Sequence, residues 1–287
     1  MKKFLFFLAA LLLVANTAFS DEKIKVFVSI MPQKHLAERI GGEKAEVSVL
    51  VPSGSSPENF DPSAKQIIEL GKSDIYMTVG IQAENMFLSR IDRNKMGFVT
   101  ADTSAGIEKT GCSHGHDHGH NHGEADPHIW TDPSRAAAMA ENMAEALSRA
   151  DSRNREYYMA NLRALLADLN RLDRDIKEKL APYKGRVFYI YHSALGYFAD
   201  RYGLIQKSIE TGSREPSPAQ IRKIVAEADK DRVRCILMQP EFPSAGTEKI
   251  AQAIKGKVIR VSILEYDYIG NMNYLTECLV RAFEESK

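Results

Sequence analysis

SRNREYYMANLRALLADLNRLDRDIKEKLAP occupies residues 152–182. Tyr157, Leu162, Leu165, Leu166, Leu169, Leu172 and Ile176 recur at helical spacing, which marks one apolar stripe with charged side chains around it. The stripe predicts a helix from Ser152 to Leu180, ended by Pro182, whose ring cannot continue a helix. A helix of about 28 residues is roughly 42 Å long at 1.5 Å per residue. A small lobe is narrower than that. The segment therefore reads as a rigid strut joining two lobes, with a cleft between them. An ordinary surface helix is the alternative, and the length speaks against it.

On the N-terminal side of the strut, IKVFVSI (24–30), EVSVLV (46–51), DIYMTV (74–79) and MGFVT (96–100) read as strands. PQKHLAERI and PSAKQIIELGKS between them carry helical spacing. Ser134 to Ser148, entered after Asp132-Pro133, reads as a further helix. On the C-terminal side, VFYIY (187–191), IQKSIE (205–210), VRCILMQ (233–239) and KVIRVSI (257–263) alternate with helical ALGYFADRYG, SPAQIRKIVAEADK, AGTEKIAQAIKG and NMNYLTECLVRAFEE. Strands alternating with helices argue for parallel sheets covered by helices. The expected architecture is α/β: two lobes, each with a roughly four-stranded parallel sheet flanked by helices, joined by the long helix. Its parts are an N-terminal lobe over 21–151, the linker over 152–182 and a C-terminal lobe over 183–287.

The chain opens MKKFLFFLAALLLVANTAFS. Lys2 and Lys3 precede an apolar run from Phe4 to Val14, and Ala18-Phe19-Ser20 offers small residues before a cut. This reads as a cleavable secretory signal over 1–20, since the run is too short to span a bilayer. The expected compartment is the periplasm, with no stable membrane insertion after cleavage. The 38 acidic side chains face 38 basic ones, two of which, Lys2 and Lys3, lie in the signal. That balance points away from nucleic acid. An exported chain can form disulfides. Its three cysteines, Cys112, Cys235 and Cys278, allow three single pairings. A strand packed on the last helix can bring Cys235 to Cys278, and this is the expected bridge; two buried free thiols are the alternative.

Six of the eight histidines fall in CSHGHDHGHNHGEADPHIW (112–130). His114, His116, His118, His120 and His122 alternate with Gly, Asp, Gly and Asn, a composition that cannot bury a core. A string of imidazoles in an expected disordered loop over 112–124 suits accessory capture of Zn, Cu or Ni. His128 differs, standing in stiff, partly apolar DPHIWTDP. His192 stands in YIYHSALGYF at the end of an expected strand, where ligands of parallel sheets meet the protein. His128 and His192 are the ordered candidates.

GSSPENFDPSAKQI, DPHIW, YHSALGYFADRYGL and REPSPAQI together resemble the metal-binding proteins of bacterial ABC importers for zinc and manganese, the cluster with a rigid linker helix. The likeness covers essentially the whole mature chain. The histidine-rich insertion before DPHIW, and one Cys on a C-lobe strand with another on the final helix, look like the zinc members. The resemblance implies a monomeric, non-enzymatic carrier that takes Zn²⁺ (Mn²⁺ possible) between its lobes and delivers it to the importer's membrane permease. It carries the family's second and third histidines onto His128 and His192. The first histidine usually sits in P-H-x-Y/F-E-P, and here Pro57-Glu58-Asn59-Phe60-Asp61-Pro62 puts Glu58 in its place. The usual carboxylate of a D-P-L motif is replaced by Ser262. MQPEF (238–242) stands where zinc members typically read E-P-Q-F.

Glu58 can bind zinc as a carboxylate at about 2.0–2.2 Å, and its loop follows a strand. His35, just past the first strand, is a second candidate. Asp267, with Glu265, follows the last strand and is the candidate C-lobe oxygen. Two imidazoles, a carboxylate and an open position also describe a hydrolase zinc, but no H-E-x-x-H motif occurs. A metal buffer or adhesin without a transporter is the third reading.

Overall fold

The computed structural model describes residues 22–91, 97–110, 125–210, 214–242 and 244–286. The expected signal sequence, Cys112 and His114 to His122 lie outside them. Four strands form the first sheet: β1 (Ile24–Val28), β2 (Ala45–Val49), β3 (Ile75–Thr78) and β4 (Val99–Asp102). All neighbours are parallel, in the order β2-β1-β3-β4. β3 is buried along its whole length, as a strand covered on both faces must be. The connecting helices are α1 (Met31–Gly41), α2 (Ala64–Leu70) and α3 (Gln82–Leu88). α3 is an addition to the expected set, since it lacks the capping serine that opens α2.

α4 (Pro133–Ala150) and α5 (Arg155–Leu180) follow. The second sheet then repeats the first: β5 (Val187–Ile190), β6 (Ile205–Ser208), β7 (Cys235–Met238) and β8 (Lys257–Arg260), all parallel in the order β6-β5-β7-β8. Its helices are α6 (Gly196–Tyr202), α7 (Pro218–Lys230), α8 (Ala245–Ala253) and α9 (Tyr268–Glu284). Even the helix starts match. Ser63 caps α2 and Ser217 caps α7, each with a glutamine three residues on that reaches back to the cap's N–H. In each sheet the first strand lies between the second and third. Chains leaving the first and third strands therefore diverge and open a crevice at the strands' carboxyl ends.

α5 is the expected strut. Tyr158, Leu162, Leu165, Leu169, Leu172, Ile176 and Leu180 form its buried stripe, with Tyr157 and Leu166 only half-buried at its border. Its first half holds the N-terminal lobe: Asn161 Nδ2 donates to the Ile40 carbonyl at 3.0 Å, and Asp168 pairs with Arg39 at 2.7 Å. Its second half holds the other lobe. Asp173 accepts from Arg201 at 2.7 Å and from the Tyr202 hydroxyl at 2.9 Å, and Lys179 pairs with Glu277 of α9 at 2.6 Å. Buried side chains of both lobes meet through α4, α5 and α9 in one continuous core, and a smaller cluster under α7 and α8 covers the far face of the second sheet. Trp130, 1% exposed, bolts the lobes together. Its indole N–H donates to the Ile263 carbonyl at 2.9 Å, and the Tyr268 hydroxyl donates to the Trp130 carbonyl at 2.8 Å.

The bridge expected between Cys235 and Cys278 is not formed; both are buried free thiols. Cys235 does lie against α9, but at its last turn. Its Sγ donates to Glu285 at 3.4 Å, and Arg234 N donates to Ser286 Oγ at 3.2 Å. Cys278 is two helical turns earlier, roughly 10 Å along the axis, which is beyond disulfide reach.

The β3–α3 turn positions the Glu58 loop. Glu84 accepts from Val79 N at 2.8 Å and from Gly80 N at 2.7 Å, with Gly80 in the left-handed region at φ +94°. Beyond that turn, Ala83 N donates to the Pro57 carbonyl at 3.2 Å. Burial pushes the Glu84 carboxyl up from 4.5 to about 7, against the pull of Ser29, Val79 and Gly80 hydrogen bonds.

Two outcomes follow from these contacts. Trp130→Phe, which strands the Ile263 carbonyl, should lower stability by about 1–3 kcal/mol in a urea melt; an unshifted midpoint would show that the indole N–H holds nothing. Glu84 keeps its proton in the folded chain up to about pH 7, while the unfolded chain releases it near 4.5. Stability from this group is therefore full below pH 4.5 and is lost as pH rises through about 7. Glu84→Gln should flatten that fall in melting temperature, and an equal slope in both chains would refute the assignment.

Candidate metal centre

His128 enters the cleft where the chain turns into the short 3₁₀ segment Ile129–Thr131 ahead of α4. Asp126 fixes it locally: one carboxylate oxygen accepts from both the His128 backbone N–H at 2.9 Å and the ring Nδ1 at 2.8 Å. Asp126 is itself held through its backbone, by Thr110 at 3.0 Å and by the Tyr197 hydroxyl at 2.7 Å. Burial raises the Asp126 pKa, but its hydrogen bond to His128 outweighs this and leaves it below the usual carboxylate range.

His192 enters from the other lobe, two residues beyond β5. The Gln239 side-chain amide straps its backbone from the neighbouring strand end, accepting from His192 N at 3.2 Å and donating to His192 O at 2.9 Å. Glu210, just past β6, accepts from His192 Nδ1 at 2.6 Å. Phe242 stacks on the imidazole, with centroids 4.3 Å apart and planes 19° apart.

The two histidines meet. Their Nε2 atoms are 3.4 Å apart, and both residues are buried, His128 at 6% and His192 at 4% exposure. Two nitrogens on adjacent corners of a zinc tetrahedron, with bonds of about 2.0–2.1 Å, stand roughly 3.3–3.4 Å apart. Glu58 joins them, its Oε1 lying 2.9 Å from His192 Nε2. Among the described residues no three such side chains stand as a finished metal cage, and Glu58 is closed onto His192 as an ion pair. Burial pulls the His192 pKa down, but hydrogen bonds to Glu210 and Glu58 outweigh it and lift it to about 9. In this state a proton on Nε2 links His192 to Glu58. Two imidazoles and the carboxylates of Asp126, Glu210 and Glu58, all but Glu58 buried, form a group with surplus negative charge, which a divalent cation offsets.

The other two candidates have different surroundings. Asp267 caps α9, accepting from Gly270 N at 3.1 Å, and is exposed. His35 packs edge-on against Tyr266, with ring centroids 5.4 Å apart and both ring nitrogens buried without a hydrogen-bond partner. Burial and then Arg39 lower its pKa. Sequence reasoning missed Asp126, Glu210 and the roles of Gln239 and Phe242. Asp126 was findable from its place two residues before His128. Glu210 had only its position as a carboxylate ending a strand.

The chain matches the model of the family described as ZnuA, zinc-uptake complex component A, periplasmic, over residues 26–282. The zinc-binding lipoprotein AdcA of Streptococcus pneumoniae is 28% identical over 285 residues, covering 94% of this chain and 54% of the relative. The chain thus spans about half the length of the AdcA relatives it matches. A putative metal-binding protein of Treponema pallidum is 29% identical over 255 residues, covering 85% of this chain and 80% of the relative. The crystal structure of ZnuA superposes with a TM-score of 0.85 at 29% identity, over 91% of this chain and 99% of that one. The laminin-binding protein of Streptococcus agalactiae shares the fold at a TM-score of 0.81 and 22% identity, over 91% of this chain and 99% of that one. With a match that runs through both lobes and includes His128 and His192, the chain belongs to the family of periplasmic components of zinc-uptake complexes.

Proposed function

We propose that this protein captures Zn²⁺ between its lobes in the periplasm and delivers it to the membrane permease of an ABC importer. One observation carries the reading: two buried imidazoles from different lobes present Nε2 atoms 3.4 Å apart, each with its Nδ1 held by a carboxylate. A carboxylate on Nδ1 fixes the tautomer, aims the other nitrogen and raises its basicity toward a metal. Glu58 supplies an oxygen once it releases His192. On this reading the site holds its cargo without transforming it. The family membership and the zinc-binding AdcA relatives support the same cargo. Export through the leader at residues 1–20 would place the chain where such a carrier works, and no described helix is long and apolar enough to cross a membrane. His114 to His122 act as an accessory collector that concentrates metal near the cleft.

Zinc titration of the full chain should find one tight site. His128→Ala or His192→Ala should weaken it by at least about a hundredfold, beyond the usual cost of losing an outer-shell partner. Survival of tight binding in both would overturn the assignment, and Mn²⁺, lowest in the divalent affinity order, should fail to displace zinc. Deleting Ser113 to Gly123 should lower the number of zinc ions counted by native mass spectrometry and leave the tight one. Loss of all tight binding on that deletion would place the site in the histidine tract instead.

A further inference from the structure

β7 and β8 are adjacent and parallel, with Met238 beside Arg260 in the register. The loops leaving their carboxyl ends therefore run side by side into the cleft. The first carries Gln239, Glu241 and Phe242, and the second carries Ser262 and Ile263. Each loop is tied to one of the two imidazoles. Gln239 straps His192 and Phe242 stacks on its ring. The Ile263 carbonyl holds the Trp130 indole, and that indole packs 5.2 Å from the His128 ring.

Between these anchors stands a carboxylate with half its valence unused. The Ser262 hydroxyl donates to Glu241 Oε1. Ser262 Oγ is held in turn by Leu264 N at 2.9 Å, and its carbonyl by Asn271 at 2.8 Å. The other oxygen, Glu241 Oε2, is buried and has no hydrogen-bond partner among the described residues. A buried carboxylate oxygen without a donor is costly. Ser262 donates its one proton to Oε1 and leaves Oε2 unpartnered, as an outer partner does when it orients a metal ligand.

We infer that Glu241, oriented by Ser262, is the C-terminal lobe's oxygen ligand for a divalent metal ion. The assignment rests on the zinc reading above. It gives the centre two imidazoles and two carboxylates, with each lobe contributing one nitrogen and one oxygen. Asp267, which caps α9, is not needed for that role. A two-nitrogen, two-oxygen set also makes this centre more oxygen-rich than an all-imidazole one, and so more tolerant of harder divalent ions.

The test uses the full chain. Affinity for the first equivalent of Zn²⁺ is read by chelator competition, and the coordination sphere by the visible spectrum of the Co²⁺ form. Glu241→Gln, which keeps shape and removes charge, should weaken the first zinc by at least about tenfold and shift the cobalt bands. Adding Ser262→Asp to that variant should restore both. Metal-free melting temperatures check that the variants fold. An E241Q chain with parental affinity, or one with weakened affinity and an unchanged cobalt spectrum, overturns the inference. A parent chain with no tight first site fails earlier in the same titration, and that outcome counts against the zinc reading rather than against Glu241.

Discussion

Two buried carboxylates decide which way each imidazole of the cleft faces. Asp126 and Glu210 occupy Nδ1 of His128 and His192, so only the Nε2 atoms are left to meet between the lobes. Had either ring turned over, the pair would present mismatched nitrogens and no common point. The placement is strict because each carboxylate is backed by main chain: Thr110 and Tyr197 hold Asp126, and Glu210 N bonds the Tyr191 carbonyl. The resulting cluster is low in solvent and rich in negative charge. Its own protons are a partial remedy for that, with one shared between His192 and Glu58. A divalent ion is a fuller one.

The scaffold reaches this arrangement by using one plan twice. Both sheets put the first strand between the second and third, and both lobes start a helix with the same serine–glutamine box. Each lobe therefore offers a crevice at equivalent strand ends. Facing the two crevices toward each other is the work of α5 and Trp130. The strand ends then act as a set of addresses: His192 after β5, Glu210 after β6, Glu241 after β7 and Ser262 after β8.

Much of this was legible in the sequence, for definite reasons. The α5 stripe is long enough that no other structure accounts for it, and β-branched runs at regular intervals announce two parallel sheets. His128 and His192 stood out because ordered context separated them from the histidine tract. Glu58 was picked out by its place in a motif, and it does reach His192. The carboxylates behind the imidazoles were harder. Glu210 is eighteen residues from its partner, and only the pairing of β5 with β6 brings them together. The cysteine pairing failed on a similar point: packing of β7 on α9 was foreseeable, but the position along the helix was not. α3 escaped notice because it has neither the capping serine that opens α2 nor the glycine that ends α6.

The strut has a mechanical meaning. α5 is fastened to the first lobe at Asn161 and Asp168 and to the second at Asp173 and Lys179, and the core is continuous beneath it. A hinge needs a joint with few bonds across it, and the described residues show no such joint along that line. So fastened, the two lobes favour a fixed separation over swinging apart. On the carrier reading proposed above, release of a bound ion is then a local event at one side chain. Glu58 is 27% exposed, against 5–8% for the two histidines, Asp126 and Glu210, and sits on a loop steadied from outside by the Ala83–Pro57 bond. The latch of a rigid box is the part that has to be worked from without.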